Sequence, residues 1–451
     1  TYTIDGAPLV GPIPDKRNAY CIIGLRAGLG EGGGHGWLLA QQIVHGEACY
    51  DTWCIDPRRF TAHANVEMTS LKAIEDYQNE FRFNFPHEHR PAGRPAKTTS
   101  LTAVLAAENA EFTVINGWER VEYIKPSADF HPSLSFHFDE TFDIVAGEIK
   151  NVQDNVGLCE VNGFNRFEIT GPDAYGFLDR MFCGSVTRKP GRVGLGYLLN
   201  DFGMVKTEAT IANIPASDRG ENRIWYGSAA ASEFHDMDWL SQHIDYNEKV
   251  QIQSLTNDQT ILLLAGPKSR DVLSACSRED WSKEAFPWLS VRECFIGFSA
   301  AMVMSVSFSG ELAYEVHVPN ASLYAAYLAL SESGKTYGMK LFGSRAIESM
   351  RMEKGFLSWK TDLLTEFDPF ETGLDRFVNL KKDNFIGKIA LEKRFKNGLN
   401  QKLVCLSVDC THAPAHGGAS LMEDDKVVGT ITSGEWGHRV NVNLALAFEN
   451  P

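Results

Sequence analysis

The stretch GLGEGGGHG at residues 28–36 carries the first pattern that could do chemistry. Gly28, Gly30 and Gly33 satisfy the pattern G-x-G-x-x-G. The preceding NAYCIIGL predicts a strand, and the following WLLAQQIVHG predicts a helix. Glycines in such a turn let backbone N–H groups approach a pyrophosphate, which then lies at a helix N-terminus. A dinucleotide site is therefore one interpretation, and a glycine turn that binds no ligand is the other.

The residues after this motif argue against a self-contained nucleotide-binding domain. Such a domain needs a second parallel strand that ends in an acidic residue about 20 positions further on. Asp51 and Asp56 lie at a tolerable spacing, but the segment runs into Pro57 and no further strand–helix units follow. We expect residues 1–60 to form a strand, a turn and a helix, with Gly28 to Gly36 at the turn, rather than a complete nucleotide fold.

Two histidines in PHEHRP, His87 and His89, could in principle hold a metal ion. They flank one glutamate, and the sequence offers no distant pair of ligands to complete a zinc site. The favoured interpretation is a polar loop that packs on a neighbouring domain, and no metal is expected.

Composition sets limits on the function. The chain has 451 residues, enough for two to four domains, and 43 basic against 58 acidic residues give a formal charge of −15. This charge argues against nucleic acid or an anionic membrane as the main partner. The sequence shows no apolar run long enough for membrane insertion and no signal peptide at its start. Nine scattered cysteines without a C-x-x-C pair indicate reduced thiols in an intracellular protein.

Two segments share the order strand, Gly-Pro, helix. They are RFEITGPDAYGFLDRM (166–181) and LLLAGPKSRDVLSAC (262–276), and their glycines, Gly171 and Gly266, are 95 positions apart. This separation is too long for a solenoid repeat and is typical of a duplicated αβ subdomain. In both segments the residues after Gly-Pro can start a helix whose apolar face packs on the sheet.

A third helix and a set of strands are predicted towards the end of the chain. GSRAIESMRMEKGF (343–356) reads as a helix that Ser344 caps and Gly355 ends, with Ile347 and Met350 on one face. From residue 401 onwards, KLVCLSVD, ASLMEDDKVVGTITSG and VNLALAFENP alternate like antiparallel strands. Asp424 and Asp425 mark a tight turn between two of them.

The first 150 residues resemble part of a flavoprotein. Residues 3–60 resemble the closing segment of FAD-dependent amine oxidoreductases of the D-amino-acid oxidase type, in which a late glycine-rich strand-turn-helix covers the flavin. RPAGRP and NGWERVEY are similar to the middle domain of the dimethylglycine dehydrogenase and sarcosine dehydrogenase family. The resemblance implies FAD, bound mostly by an N-terminal half that this chain lacks. It implies these flavin contacts: Arg26, Ala27, Gly28, Leu29, Gly30, Glu31 and Gly33.

The rest of the chain resembles the aminomethyltransferase, or T-protein, of the glycine cleavage system, which that family carries as its tetrahydrofolate-binding half. The motifs are VNGFNRFEITGPDA, YLLNDFGMVKTEATI, SFSGELAYEVHV, GSRAIESMRMEKGF and ETGLDRFVNLKKDNFIGKIAL. The implied fold class is α+β, with a duplicated αβ folate-binding domain and a C-terminal antiparallel β-barrel-like domain. The expected domains are the end of the flavin domain at 1–60, the middle domain at 61–150, the T-protein-like domain at 151–400 and an incomplete C-terminal β domain at 401–451.

A folate pterin presents an amide-like edge with several N–H donors, and a buried carboxylate is the acceptor that matches it. The resemblance selects Glu315 for this role, with Phe308, Val316 and His317 alongside, and leaves Glu311 as a turn glutamate. Arg345 falls where T-proteins place a folate-binding arginine. A structural ion pair of Arg345 with Glu348 or Glu353 stays open as the alternative.

Glu208 stands where T-proteins place an aspartate near the folate N5. A carboxylate there can orient the attack of the amine and stabilise the cationic iminium that develops; an ordinary exposed strand glutamate is the alternative. Ala209, Thr210 and Ile211 would then line the folate by backbone contact. Arg376 lies where an aromatic residue is expected, which leaves its role as a folate contact open.

The function that the resemblance implies has two steps. FAD-dependent oxidation removes an N-methyl group from a small methylated amino acid of the dimethylglycine or sarcosine type, and the one-carbon unit passes to tetrahydrofolate as 5,10-methylenetetrahydrofolate. The electron acceptor, a flavoprotein or oxygen, stays open, and the expected location is the bacterial cytoplasm or the mitochondrial matrix. A non-catalytic regulatory subunit of a phosphatase and a stand-alone aminomethyltransferase with a lipoyl carrier share parts of this architecture and remain as alternatives.

Overall fold

The computed structural model describes residues 2–215, 223–230 and 232–450. Its helices are α1 (Gly28–His45), α2 (Val66–Gln78), α3 (Thr102–Ala107), α4 (Thr141–Asp154), α5 (Ala174–Met181), α6 (Glu233–Gln242), α7 (Ser269–Cys276), α8 (Leu323–Gly334), α9 (Ser344–Lys354) and α10 (Lys388–Asn397). Its strands are β1 (Leu9–Pro12), β2 (Tyr20–Ile23), β3 (Ala110–Ile115), β4 (Trp118–Ile124), β5 (Gly157–Val161), β6 (Phe164–Thr170), β7 (Arg192–Leu199), β8 (Val205–Ile214), β9 (Arg223–Ala230), β10 (Gln251–Ser254), β11 (Gln259–Ala265), β12 (Val291–Ile296), β13 (Ser299–Met304), β14 (Ala313–Pro319), β15 (Lys340–Leu341), β16 (Lys402–Val408), β17 (Ser420–Glu423), β18 (Lys426–Gly437) and β19 (Val442–Glu449). No helix within these ranges has the length and apolar character needed to cross a membrane.

Two sheets form the centre of the molecule. The five-stranded sheet has the order β10-β6-β9-β8-β7, and the six-stranded sheet has the order β12-β13-β14-β11-β5-β15. Neighbouring strands are antiparallel except β15, which runs parallel to β5. The predicted pair of strand–helix units is present as β6–α5 and β11–α7, one in each sheet. The α+β fold class is therefore confirmed.

Helices cover the outer face of each sheet. The apolar residues of α5, Ala174, Phe177, Leu178 and Met181, follow the spacing of one helix face, and all are buried on the five-stranded sheet. Side chains of α3, α7 and α8 form the equivalent core on the six-stranded sheet. Burial of one such large apolar side chain contributes about 1.5–3 kcal/mol to the free energy of unfolding.

The inner faces of the two sheets pack on each other. Ala212 and Ile214 of β8 share one apolar cluster with Trp225 of β9 and with Met302 and Met304 of β13. Because side chains alternate along a strand, residues of β8 with the same parity as Ala212 also point between the sheets. Register thus decides which residues can line the space enclosed by the two sheets.

The N-terminal segment forms an antiparallel hairpin, β1 with β2, followed by α1. Residues 2–150 contribute only the two hairpins β1-β2 and β3-β4 to the described sheets, so the prediction that no complete nucleotide fold forms here is confirmed. The prediction that Gly28 to Gly36 form the turn is wrong. The chain reverses before them, where Gly24 has a φ of +77°, and helical hydrogen bonding begins at once, from the Glu31 N–H to the Ala27 carbonyl. The turn was predicted from the G-x-G-x-x-G pattern, and the helix forms although each glycine weakens it by about 1 kcal/mol relative to alanine.

The start of α9 differs from the prediction, and its end agrees with it. Gly355 adopts a left-handed conformation at the C-terminus, as predicted, but Ser344 is not the cap. Gly343 precedes the helix in an extended conformation, and its N–H donates to the Glu148 carboxylate at 2.9 Å. A Cβ at Gly343 would lie 2.0 Å from the Glu122 carbonyl oxygen, so the close approach of β4 requires glycine at this position.

The C-terminal residues form a four-stranded antiparallel sheet with the order β16-β19-β18-β17. Asp424 lies between β17 and β18 with a φ of +50°, which confirms the predicted tight turn. The sheet does not close into a barrel within the described residues. All nine cysteines of the chain are free thiols.

Candidate functional site

Glu208 lies on β8 and points into the space between the two sheets. Its cross-strand partner on β7 is Tyr197, whose hydroxyl donates to the Glu208 carboxylate at 2.6 Å. Burial raises the pKa of Glu208 to about 7, and the hydrogen bond from Tyr197 acts in the opposite direction. A carboxyl group with a pKa near neutrality can hold or accept a proton under physiological conditions. Glu208 is therefore a candidate acid–base group.

Glu315 enters the same space from the opposite sheet. It lies on β14, directly across from Met304 of β13, which belongs to the inner-face cluster. The side chain is 28% exposed, and one carboxylate oxygen lies 3.1 Å from Nε2 of the fully buried His317. Burial lowers the pKa of His317, so the imidazole is neutral at physiological pH. Glu315 thus keeps an accessible carboxylate that can accept hydrogen bonds from a ligand.

Trp225 supplies a flat aromatic surface on the inner face of the five-stranded sheet. A Cβ at Gly227 would lie 2.1 Å from Cη2 of Trp225, which means that the indole covers the Gly227 backbone. Gly227 is the cross-strand partner of Thr210, two positions after Glu208. The Trp225 ring also contacts His317 edge-on, with ring centroids 4.9 Å apart. The indole therefore connects the two strands that carry the carboxylates.

Arg166 adds hydrogen-bond donors beside Glu315. It lies on β6 opposite Gly227 and is only 1% exposed. Its Nη2 donates to the Thr256 carbonyl at 3.1 Å, whereas Nε and Nη1 have no partner among the described residues. Burial lowers the pKa of Arg166 to about 10, and the charge of Glu315 acts against this effect. The guanidinium stays charged at physiological pH.

These residues define what we call the inter-sheet site: Arg166, Glu208, Thr210, Trp225, Glu315 and His317. It combines two carboxylates with unpartnered buried donors, which are Nε and Nη1 of Arg166 and Nε1 of Trp225. A planar heterocycle with several N–H donors and a carbonyl oxygen would satisfy groups of both kinds. The site therefore fits a pterin, and the cofactor expectation for folate has a structural basis.

The other residues expected along β8 and β14 divide between the two faces of their sheets. Thr210 shares the inner face with Glu208. Ala209 and Ile211 point to the outer face, where they belong to the core beneath α5, and Val316 belongs to the core of the other sheet. Alternation along each strand produces this division, so only the backbone of these three residues is available on the inner side. Phe308 lies outside the strands and stacks on Phe356 at a centroid distance of 6.2 Å.

Arg376 approaches the inter-sheet site from the edge of the five-stranded sheet. It belongs to the short 3-10 turn Asp375–Phe377, and its guanidinium lies 4.8 Å from the centroid of the Phe377 ring. Burial raises the pKa of Tyr197 well above its usual value, and the positive charge of Arg376 acts in the opposite direction. Arg376 and Ile211 line a cavity of about 250 Å³ at this edge.

Arg345 occupies a different place from the inter-sheet site. It lines a cavity of about 170 Å³ together with His87, His89 and Glu122. Neither ion pair considered from the sequence forms. Glu348 instead pairs with Arg351, and Glu353 accepts the backbone N–H groups of Arg439 and Val440. Among the described residues, no hydrogen bond or ion pair joins Arg345 to Glu208 or Glu315.

The PHEHRP loop is held on β4 by one carboxylate. Nδ1 of His87 lies 3.1 Å and Nε2 of His89 lies 2.6 Å from the two oxygens of Glu122. Although burial opposes the charged form, the hydrogen bonds from both histidines lower the pKa of Glu122 to about 2. Within the described ranges, no group of three or more histidine, cysteine or acidic residues is placed to hold a metal ion.

A larger cavity separates the N-terminal segment from α6. It measures about 450 Å³, and its wall includes Arg58, Lys206, His235 and Trp239. His235 is buried, and its Nδ1 lies 2.9 Å from the Asp236 carboxylate. Burial lowers the pKa of His235 to about 4, so the imidazole is neutral at physiological pH. No sequence motif marked this pair.

The glycine-rich start of α1 presents bare backbone to the surface. A Cβ at Gly28, Gly30 or Gly33 would have no neighbour within 4 Å, and Leu29 is fully exposed. No side chain caps the first N–H groups of this helix, and Arg26, just before it, pairs with Asp76. Unpaired N–H groups at a helix start bind anionic groups, so this surface fits the diphosphate of a dinucleotide such as FAD. Contacts from the predicted residues 26–33 stay a prediction.

Three family models match the chain in sequence order. The FAD dependent oxidoreductase central domain matches residues 45–99, the GCVT N-terminal domain matches residues 101–382, and the glycine cleavage T-protein C-terminal barrel domain matches residues 401–450.

Curated relatives and a solved structure agree with this arrangement. The chain is 31% identical to human mitochondrial dimethylglycine dehydrogenase and 28% identical to mouse mitochondrial sarcosine dehydrogenase, in each case over 99% of the chain. It spans about half of these relatives, 51% and 53% of their lengths. The aminomethyltransferase T of the Bartonella henselae glycine cleavage system has the same fold, with a TM-score of 0.67 and 20% identity over 78% of this chain and 90% of that one.

Proposed function

Because the chain belongs to the GCVT N-terminal domain family, we propose that it is the folate-binding part of a flavin-dependent N-demethylase. In this chain the GCVT domain lies between an FAD dependent oxidoreductase central domain and a T-protein C-terminal barrel domain. The substrate is a small methylated amino acid of the dimethylglycine or sarcosine type. Its N-methyl carbon leaves as a one-carbon unit and reaches tetrahydrofolate as 5,10-methylenetetrahydrofolate. The inter-sheet site, with a carboxylate from each sheet, is the observation that supports this proposal most.

Recognition of the pterin falls to side chains from both sheets. The Glu315 carboxylate accepts N–H groups of the pterin edge, and the unpartnered N–H groups of Arg166 donate to its carbonyl oxygen. The Trp225 indole offers a face for the ring to lie on. Charge-assisted hydrogen bonds of this kind contribute about 1.5–3 kcal/mol each to binding.

Glu208 serves the transfer step. Its carboxyl group titrates near pH 7, because burial raises its pKa, so an ionised form is available at physiological pH. In a low-dielectric enclosure, the carboxylate stabilises a substrate cation such as an iminium and takes up a proton when the attacking amine loses one. Tyr197 fixes the orientation of the carboxylate through its 2.6 Å hydrogen bond.

The flavin part of the activity rests on the other end of the chain. The chemistry that bound FAD would supply is that of a hydride acceptor for oxidation of the substrate's N-methyl group. The N–H groups at the start of α1 are the part of this chain that would contact FAD, since Gly28, Gly30 and Gly33 leave room for close approach.

Two other functions were open from the sequence. A stand-alone aminomethyltransferase is disfavoured, because residues 45–99 match an FAD dependent oxidoreductase central domain. A purely regulatory protein is disfavoured because it has no use for a buried carboxyl group at position 208. Burial raises the pKa of Glu208 to about 7, so its ionised form lowers the free energy of unfolding at neutral pH, a cost that a chemical role explains.

Binding of 5-formyltetrahydrofolate to the 451-residue chain, measured by calorimetry, tests the folate proposal. We expect the wild-type chain to bind and Glu315→Gln to weaken binding tenfold to a hundredfold, since the variant loses a charged acceptor for the pterin edge. Glu311→Gln is the matched control, because Glu311 pairs with Arg439 outside the inter-sheet site. A chain that binds no folate, or equal affinities for the wild type and Glu315→Gln, would overturn the proposal.

A further inference from the structure

The cavity of about 450 Å³ between the N-terminal segment and α6 has no part in the functions described above. Its wall combines the loop between β1 and β2, the C-terminal end of α1, and α6. Gln42, which lines it, lies about 18 Å along the axis of α1 from Gly30, so the cavity is separate from the glycine-rich start of that helix. Glu208 and Glu315 do not line it, so it is also separate from the inter-sheet site.

His235 brings an unpartnered ring nitrogen to this cavity. Its Nδ1 lies 2.9 Å from the Asp236 carboxylate, whereas Nε2 makes no hydrogen bond with any described residue. Burial lowers the pKa of His235 to about 4, so the ring carries one proton at physiological pH. Since the carboxylate accepts, that proton is on Nδ1, and Nε2 is left as an acceptor. His235 therefore offers an acceptor to a ligand with an N–H group.

Two other residues of the wall have buried polar atoms that pair with nothing in the described part of the chain. Gln42 is 6% exposed, and its Nε2 donates to the Thr52 hydroxyl at 2.8 Å, but its Oε1 has no donor. On α6, Nε1 of Trp239 has no acceptor. A buried polar atom without a partner costs about 1–3 kcal/mol. A ligand that donates to Gln42 and accepts from Trp239 removes this cost at both residues.

The acceptors and the donor suit a short ligand with two different ends. His235 and Trp239 are one turn apart on α6, so they share a face, with about 5–6 Å between their Cβ atoms. Lys206, which also pairs with Glu47, holds its Nζ 4.9 Å from the centroid of the Trp239 ring and adds positive charge there. An amino group at His235 and a carboxylate at Trp239 match this arrangement. An α-amino acid carries these two groups on neighbouring atoms of one carbon.

Aromatic rings complete the wall. Tyr20, Trp53 and Trp239 all line the cavity, and Trp53 contacts the His235 ring edge-on, with ring centroids 5.6 Å apart. Aromatic faces attract methylated ammonium groups through cation–π interactions. We infer that this cavity binds a small N-methylated amino acid, with its ammonium N–H on His235 and Gln42 and its carboxylate on Nε1 of Trp239. The choice of an N-methylated amino acid also rests on the proposed function.

Calorimetry of the 451-residue chain with N,N-dimethylglycine and its analogues tests the inference. Dimethylglycine should bind. Glycine betaine has a methyl group in place of the N–H, isovalerate has a carbon in place of the nitrogen, and N,N-dimethylethylamine lacks the carboxylate. Each should bind about tenfold more weakly or worse, because each loses a charge-assisted hydrogen bond. Glycine should also bind more weakly, since it has no methyl groups to place against the rings.

Two variants locate the bound amino acid. Gln42→Met removes an acceptor and Trp239→Phe removes a donor, and each should weaken dimethylglycine binding about tenfold. Trp288→Phe is the matched control, because Trp288 is 51% exposed and does not line the cavity. Denaturant titration shows whether each variant is folded. His235 is left unchanged, since its ring packs against two tryptophans and its removal would disturb the core.

Equal affinities for dimethylglycine and glycine betaine would overturn the inference, as would unweakened binding in folded Gln42→Met and Trp239→Phe. Glycine that binds as tightly as dimethylglycine would overturn the assignment of an N-methylated ligand. A chain that binds 5-formyltetrahydrofolate but not dimethylglycine would overturn this inference alone. A chain that binds dimethylglycine with the expected profile but no folate would support the inference and overturn the folate proposal.

Discussion

The inter-sheet site and the glycine-rich start of α1 fit ligands by opposite means. The inter-sheet site is built from side chains whose positions follow from strand register, and burial shifts the pKa values of Glu208, Arg166 and His317 within it. The start of α1 offers exposed backbone, with Leu29 in solvent and no side chain near Gly28 or Gly30. The six residues that define the inter-sheet site all belong to this chain. The start of α1 is an exposed surface that would need another surface to enclose a ligand.

The largest effect should come from Glu208→Ala, which tests whether the inter-sheet site does chemistry as well as binding. In the flavin-loaded holoenzyme, amine oxidation should continue, whereas one-carbon transfer to tetrahydrofolate should slow on the order of 10²-fold, because electrostatic and acid–base help is lost. The assay is formaldehyde released per amine oxidised with folate in excess. Glu208→Asp should restore part of the transfer, and an unchanged ratio in the alanine variant would reduce Glu208 to a strand residue.

A pair of glycine substitutions contrasts the two regions directly. Gly30→Ala adds a methyl group in open space on a helix and should raise the free energy of unfolding by about 0.5–1 kcal/mol without changing folate affinity. Gly227→Ala places a methyl group 2.1 Å from Cη2 of Trp225. It should lower the free energy of unfolding by about 1–3 kcal/mol through overpacking and weaken folate binding, because the indole must move.

Denaturant titration and calorimetry on both variants measure these effects. Unchanged folate affinity in Gly227→Ala, or weakened folate affinity in Gly30→Ala, would contradict the proposed difference between the inter-sheet site and the start of α1. Loss of flavin from the Gly30→Ala holoenzyme with folate binding intact would confirm the assignment of that surface to FAD.

Strand pairing brings residues into the inter-sheet site that the sequence alone did not indicate. Glu208 and Glu315 were accessible from the sequence, because short motifs carry them. Trp225 and Arg166 were not, since their roles depend on the pairing of β9 with β8 and with β6, and β6 lies far from β9 in the chain. A large residue two positions before a glycine on one strand face is the signal that could have indicated Trp225.

Helix starts were the other weak point of the sequence prediction. The G-x-G-x-x-G pattern predicted a turn at the glycines of α1. These residues instead begin an 18-residue helix, although glycine disfavours helices. Arg345 was expected at the folate, but the position of α9 is set by Gly343 and its contact with Glu122, and this brings Arg345 to the histidines of the PHEHRP loop instead.

The smallest expected effect concerns pH. Burial raises the pKa of Glu208 to about 7, and the Tyr197 hydrogen bond lowers it from a still higher value. If transfer uses the ionised carboxylate, its rate should rise with pH through about 7 in the wild type. Tyr197→Phe should move this rise to higher pH, because the variant loses the stabilising hydrogen bond. Transfer rates across pH 5–9 measure the shift, and a shift to lower pH would contradict the assigned role of Tyr197.

A crystal structure of the 451-residue chain soaked with 5-formyltetrahydrofolate tests the central claim most directly. We expect the pterin between the two sheets, with Glu315 accepting its N–H groups, Trp225 against its ring and the Glu208 carboxylate near N5. A pterin bound elsewhere, for example beside Arg345 or in the 450 Å³ cavity next to His235, would contradict the account.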